Sequence, residues 1–450
     1  MAGTTLIHNG VVVTGGDESQ VIANGAVAWE NERIVAVGPS AHVRRHYPDA
    51  TCLDAHGGLV IPGLVNLHHH FYSALARGLD SGSTPASFGD VLDQLWWRLD
   101  RALTPATIRQ SALLAAADCI RWGCTTVFDH HASPSCVRGS LDLIAESVEQ
   151  AGLSAVLCYE VSDRNGHHEA LSGLDENFDF IARHREHPRI RGMLGLHASF
   201  TVSDQTLEEA GRARPEGAGC HAHVAEDPLD VQASKMAFAA GPVERLLHAG
   251  LLDEWALLAH GIHLADEDLE TVARYGAVLV HNPESNANNG VGRLDVEAAS
   301  GRGCTVGLGT DGMSSAMLRS LRAAFLAHRA GRRDPGGGFA VLPGLLETNA
   351  AVARRFFPEP RLGRIVAGAP ADLAVVDAPP PTPIARDNVF GHLVYGASEA
   401  PVRHTVARGR VLLEDFRHTT LAPEELAARA RELSPGLWKR FHALKVRGTG

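Results

Sequence analysis

The chain has 450 residues, 45% of them hydrophobic and 21% charged, and a formal net charge of −11. This composition is ordinary for a soluble globular protein, and the negative charge excludes a general role on nucleic acid or on an anionic membrane. The seven cysteines form no CxxC pair and are odd in number, which argues against a disulfide framework and for a reducing, cytoplasmic setting. The N-terminus lacks the basic and apolar regions of a signal peptide, and no run approaches the roughly 18 apolar residues of a membrane span.

Residues 5–58 read as short strands. Leu6-Ile7-His8 and Val11-Val12-Val13 flank Asn9-Gly10, a hairpin signal, and a second hairpin is expected around Glu30-Asn31-Glu32. From residue 59 the texture changes. Apolar runs of strand length recur at 59–68, 124–130, 154–160, 190–199, 219–225, 255–262, 276–282 and 304–311, with helical stretches between them. The clearest helix is 104–122, with Thr104 as N-cap, Pro105 at the first helical position and Gly123 as stop. Others are expected near 138–151, 174–187, 204–213, 241–250, 266–275 and 315–330.

Eight strand–helix units give a parallel (β/α)8 TIM barrel. An open doubly wound sheet is disfavoured because no GxGxxG turn follows the first strand. The long 71–103 segment, with Trp96-Trp97, is expected over the barrel mouth as a lid or a packed helix. Strand texture returns at 371–377, 392–395 and 402–413, with a tight turn at Gly409-Arg410. The expected organisation is a small β-sandwich built from both chain ends (1–58 plus 359–420), a barrel over 59–358 and a helical tail over 421–450.

Reactive residues of such a barrel lie at the C-terminal ends of its strands. Strand one ends in His68-His69-His70, and period two puts His68 and His70 on one face. Strand five carries His221 and His223 with Glu226 just beyond, strand six ends in His260, and strand eight ends in Asp311. Imidazoles and a carboxylate from separate strand ends suit Zn²⁺ or Fe²⁺ with one position open to water. Such a metal lowers the pKa of water toward about 7. Asp311 fits a carboxylate that touches metal and water; Glu226 fits one that carries a proton to substrate and leaving group.

These residues carry a resemblance. Pro62-Gly63-Leu64-Val65-Asn66-x-His68-x-His70, His223-x-x-Glu226, the His260 strand, His281-Asn282-Pro283-Glu284-Ser285-Asn286 and Gly309-Thr310-Asp311-Gly312 resemble the amidohydrolase superfamily, in particular its deaminase and chlorohydrolase branch. Phe128-Asp129-His130-His131-Ala132-Ser133-Pro134, Cys158 to Arg164 and Leu196 to Phe200 are similar to the SsnA-like aminohydrolases. The resemblance implies His68, His70, His223 and Asp311 as metal ligands, His260 as the residue that holds water or a developing oxyanion, and Glu226 as proton shuttle. His69 departs from the family pattern but points off the metal face. Binuclear members commonly bridge two metals with a carboxylated lysine; strand four has none, and Lys235, Lys439 and Lys445 lie on no barrel strand. One divalent ion is therefore expected, Zn²⁺ ahead of Fe²⁺, with Glu160 or Cys158 as the route to a second.

Candidate substrate contacts are His197 at the end of strand four, His130 after strand two, Arg164 after strand three, Arg77 after the histidine pair and Trp97 as a stacking face. His221, one layer deeper than His223, is assigned to the barrel core. The function these assignments imply is hydrolytic deamination of an amino-substituted N-heterocycle, purine- or pterin-like, with release of ammonia. Hydrolysis of an amide or of a ring chloride is the alternative, and a metal-binding scaffold without catalysis the third reading. The resemblance further implies a homodimer.

Overall fold

The computed structural model describes residues 3–16 and 18–446; the ends of the expected β-sandwich and tail segments at residues 1–2 and 447–450 lie outside the described residues. The chain ends build one nine-stranded sheet. Its order is Arg417–His418, Arg410–Glu414, Val402–Ala407, Leu373–Val376, Leu59–Pro62, Thr5–Val13, Val21–Glu30 and Arg33–Pro39, with Thr51–Asp54 also paired to Thr5–Val13. The hairpins at Asn31-Glu32 and Arg408-Gly409 form, with Asn31, Arg408 and Gly409 in the left-handed region that suits tight two-residue turns.

Three local expectations are corrected. Asn9-Gly10 is not a hairpin: Thr5–Val13 runs on through it and pairs with Val21–Glu30 on both sides, with register shifts around Gly10. It is a bulge, and Gly10 is required there because a Cβ would lie 2.4 Å from Val60 Cγ2. Leu59–Pro62, expected to open the barrel, pairs with Thr5–Val13 and Leu373–Val376 and so belongs to the terminal sheet. Residues 392–395 lie in a helix, Val389–Tyr395, instead of a strand.

The second sheet closes as the barrel. Its parallel strands are Leu64–His69, Cys124–His131, Ser154–Val161, Leu194–Ala198, Cys220–Val224, Leu257–His260, Val278–His281 and Thr305–Leu308, with Ile190–Gly192 as a short strand beside the third. Strands eight and one join where the amides of Thr310 and Asp311 both donate to His68 O, at 3.1 and 2.9 Å. Helices Pro105–Arg121, Ser140–Ala151, His167–Arg183, Asp204–Ala213, Pro242–His248, Asp266–Tyr275, Val296–Gly301 and Met317–Arg332 follow the strands in turn. Apolar interior residues such as Val65, Leu67, Phe128, Val156, Leu257 and Val280 fill the barrel together with Phe356 and Phe357, so it is a packed core with chemistry only at one end.

Over that end lies the 71–103 segment, built from Phe71–Ala76, Phe88–Val91, a π turn at Leu92–Trp96 and Trp97–Ala102. A capping box between Ser87 and Asp90 starts its helical part. The C-terminal helix Pro423–Ala443 holds it down: Arg98 Nη2 donates to Phe441 O (3.2 Å), Arg440 Nε to Ala102 O (2.8 Å) and Trp438 Nε1 to Leu75 O (3.0 Å). No helix among the described residues is long and apolar enough to cross a membrane.

Candidate metal centre and substrate cavity

Four imidazoles reach the mouth, each fixed by its Nδ1. His70 Nδ1 lies 2.6 Å from His130 O, His223 Nδ1 3.0 Å from His197 O and His260 Nδ1 2.8 Å from Asn286 Oδ1. Each partner is an acceptor, so each Nδ1 carries the proton and each Nε2 keeps its lone pair. His68 Nδ1 lies 2.9 Å from His221 Nε2, so His221 orients His68 instead of competing with it. Three Nε2 atoms converge on Asp311: His70 Nε2 and His68 Nε2 lie 3.1 and 3.8 Å from its Oδ1, and His260 Nε2 lies 3.6 Å from its Oδ2. His70 Nε2 and His223 Nε2 are 3.3 Å apart. Two lone pairs at that distance repel, so a proton or a bound cation must lie between them.

Backbone geometry sets this convergence. Pairing between strands one and two shifts register between Asn66 and His69, a bulge that re-aims the strand end. Ala225, His260 and Asp311, at the ends of strands five, six and eight, all have left-handed φ (50°, 75° and 55°), a strain non-glycine residues bear mostly where side-chain direction matters. A Cβ at Gly309 would lie 2.4 Å from Asn282 Oδ1 and 2.8 Å from His68 Cβ, so only glycine lets strand eight approach the first histidine.

The residues fit a divalent cation. His68 Nε2 and His260 Nε2 are buried without a hydrogen-bond partner, and two overlapping groups, His68–His70–His223 and His68–His260–Asp311, each bring their ligand atoms within 4.8 Å of one another. Burial, reinforced by neighbouring imidazoles, holds His68 and His223 well below the usual histidine pKa. Burial opposes charge on His70 too, but the hydrogen bond and charge of Asp311 raise it to about 9. Burial likewise opposes ionisation of Asp311, yet His70 and the other imidazoles keep it a carboxylate. His68 and His223 are thus neutral beside an ionised carboxylate, and His70 holds a proton against Asp311 that a bound divalent ion would displace.

Glu226 stands beside this cluster, 3.4 Å from His260 Nε2 through Oε2 and accepting from Asn289 Nδ2 at 3.1 Å through Oε1. Burial raises its pKa to about 7, with His260 opposing and Asp311 adding to the rise. A carboxyl that titrates near neutrality can accept and return a proton.

A third group, His130–Glu160–His223, also has metal-ligand spacing. It already holds a fixed cation: Arg164 donates to Glu160 Oε1 (3.0 Å) and to Asp100 Oδ2 (3.1 Å). Glu160 stays ionised despite its burial because His197, His130 and Arg164 surround it. A dication there would face the guanidinium directly, which argues for one metal.

The cavity above these groups encloses about 760 Å³, open mouth included. His70, His223, Glu226 and Asp311 form its floor, Trp97, Trp96, Tyr72, Phe88 and Phe200 its apolar walls, and Glu160, His197, Asn289 and Ser285 its polar ones. Of the substrate contacts expected from sequence, His197 and Trp97 therefore line the cavity. Arg164 and His130 do not: Arg164 is spent on Asp100 and Glu160 and packs over the Trp97 ring, and His130 Nε2 faces two backbone carbonyls. Arg77 is outside altogether, its side chain 80% exposed and paired with Asp118. Its strand-end position suggested the mouth, but Phe71–Ala76 turns away as a 3-10 helix and carries Arg77 to the surface. His69 turns off the cluster to Ser315 Oγ, 3.1 Å away. Asn289 escaped the sequence reading. Its signal was Pro283 as a helix start, which stacks Asn289 four residues, about one turn, above Ser285.

Residues 59–412 match the amidohydrolase family, and residues 25–50 match the bacterial imidazolonepropionase-like composite domain. Curated relatives include the 5-methylthioadenosine/S-adenosylhomocysteine deaminase of Nitratidesulfovibrio vulgaris, 30% identical over 95% of this chain and 96% of that protein. The 5'-deoxyadenosine deaminase of Methanosarcina mazei is 29% identical over 97% of this chain and 99% of its own length. Among solved structures, a zinc-bound adenosine deaminase from Xanthomonas campestris superposes with a TM-score of 0.83 at 24% identity, covering 98% of this chain and 99% of that one. The atrazine chlorohydrolase of Arthrobacter aurescens, complexed with zinc and atraton, gives 0.81 at 23% identity, covering 96% and 100%. With the family match running from the last strand before the barrel through the barrel and into the returning half of the terminal sheet, the chain belongs to the amidohydrolase family.

Proposed function

We propose that this protein is a metal-dependent hydrolytic deaminase of an amino-substituted N-heterocycle, with a single Zn²⁺ held by His68, His70, His223 and Asp311. The observation that carries the reading is the convergence of Nδ1-anchored imidazoles on Asp311, beside a buried glutamate that titrates near 7. A bound divalent ion supplies a water acidic enough to yield its nucleophile at neutral pH. Asp311 and His260 flank the place where that water would lie, and His260, protonated on Nδ1, aims its Nε2 there. Glu226 takes one proton from the water and gives it to the ring nitrogen next to the amino-bearing carbon, then carries the remaining proton of the adduct's hydroxyl to the departing amine as the carbonyl forms; Asn289 holds Glu226 in place for both transfers. The apolar walls exclude bulk water, and Trp97 offers a face for a flat ring. The curated relatives named as deaminases support deamination over amide or ring-chloride hydrolysis. The proposed setting is the cytoplasm and the proposed assembly a homodimer.

The test is ammonia release from a panel of aminated purines, pterins, pyrimidines and triazines by zinc-reconstituted protein. Activity on at least one member is expected, lost on chelation and restored by Zn²⁺. Release of chloride or a new carboxylate with no ammonia from any member would replace the reading with one of its alternatives.

A further inference from the structure

In the polar lining of the cavity, Glu160 and His197 both present acceptors. Glu160 ends strand three, and its side chain lines the cavity next to His197. His197 Nδ1 lies 2.6 Å from Thr201 Oγ1, and that hydroxyl spends its one proton on Ala198 O, 2.9 Å away. Thr201 must therefore accept from His197, so Nδ1 carries the imidazole proton and Nε2 is a lone pair. This Nε2 lies 3.9 Å from Glu160 Oε1. Arg164 takes one lone pair of Oε1, and His130 Nδ1 lies 3.4 Å from Oε2, which leaves further acceptor capacity on both oxygens. Arg164 does not itself line the cavity.

We infer that Glu160 and His197 read a donor–donor edge of the substrate, a ring N–H beside a second N–H, and that the enzyme acts on heterocycles with an unalkylated ring nitrogen. This rests on the deaminase reading, and it narrows the substrate class. Two adjacent acceptors bind two donors and repel a substrate edge that carries lone pairs or an alkyl group. In adenine nucleosides, the substrate type in the relatives' names, the imidazole nitrogen is glycosylated and the remaining ring nitrogens are acceptors. The only N–H donor of their base is the departing amine, so nothing in the base answers this wall; the ribose hydroxyls, their other donors, lie across the glycosidic bond from the reacting carbon. A site built to hydrogen-bond an N–H rejects analogues that lack it far more strongly than a shape-fitted apolar pocket does.

Two measurements test this. The first is calorimetric binding of 2-aminobenzimidazole, which has ring N–H and amino N–H side by side, against 2-dimethylamino-1-methylbenzimidazole, which has neither. It is made on zinc-loaded Glu226→Gln protein so that no turnover intrudes. The N–H probe should bind at least about 100-fold tighter, and adding Glu160→Gln should cut that preference to less than about tenfold, with zinc content unchanged. Equal binding of the two probes, no binding of the N–H probe, or a preference that survives Glu160→Gln would overturn the inference. The second compares ammonia release from each active base with that from its ring-N-methyl derivative. A panel silent throughout, with the probe preference intact, defeats deamination and leaves the donor–donor wall standing. Ammonia release without N–H preference defeats the wall alone.

Discussion

The two sides of the barrel mouth are both lined with buried carboxylates and imidazoles, yet they handle charge differently. On the side of strands one, five, six and eight, His68, His70, His223, His260 and Asp311 point open lone pairs at one another, and two of the Nε2 atoms have no partner. On the side of strands two to four, Glu160 and Asp100 share the guanidinium of Arg164, and His130 and His197 are tied to carbonyls or to Thr201. The first side leaves buried nitrogens open to a cation from outside. The second carries its own. A buried polar group costs stability unless it is partnered, so the open side marks where chemistry is done and the closed side where a shape and a hydrogen-bond pattern are held fixed.

The sharpest way to break this comparison is to remove a proposed ligand from the open side. Asp311→Ala should lose bound zinc, read by elemental analysis, and lower kcat/KM by about 10⁴-fold or more, the loss of several kcal/mol of transition-state stabilisation. Glu226→Gln separates the metal from the proton: it should keep zinc while kcat falls by about 10²–10⁴-fold. Because Glu226 must be ionised to accept a proton and burial raises its pKa to about 7, wild-type kcat/KM should decline about tenfold per pH unit below that value and level off above it. A flat profile from pH 5 to 8 would remove the glutamate from that role.

The closed side should respond in stability first. Arg164→Met leaves Glu160 and Asp100 buried without their cation and should cost about 3–5 kcal/mol in denaturant unfolding, with zinc still bound. Pairing it with Asp100→Asn should recover part of that loss. The smallest effect is expected at Arg77, whose exposed pair with Asp118 is worth little: Arg77→Ala should change stability by less than about 0.5 kcal/mol and leave KM unchanged. A raised KM for this variant would put a substrate contact outside the cavity described above.

How much of this was legible beforehand depended on sequence distance. The barrel was readable because strand and helix periods are local, and the cluster at its mouth because strand ends are. A histidine or aspartate that closes an apolar run is placed at the mouth whatever the rest of the chain does. The same logic misplaced Leu59–Pro62, since an apolar run does not say which sheet it joins, and it read Asn9-Gly10 as a turn where pairing to Val21–Glu30 makes it a bulge.

The sequence by itself determined the open side of the mouth: which strands carry His68, His70, His223, His260 and Asp311, and that Glu226 lies one step beyond. Only the tertiary structure decided the closed side. Arg164 stands in the sequence as a candidate substrate contact, and only the fold brings Asp100, 64 residues earlier, against it. Arg77 stands at a strand end as a candidate contact, and only the 3-10 helix Phe71–Ala76 carries it to the surface, while the helical turn after strand seven brings Asn289 beside Glu226. The physical reason is that backbone periodicity fixes where along a strand a side chain stands, whereas its charge partner is set by what the fold packs against it.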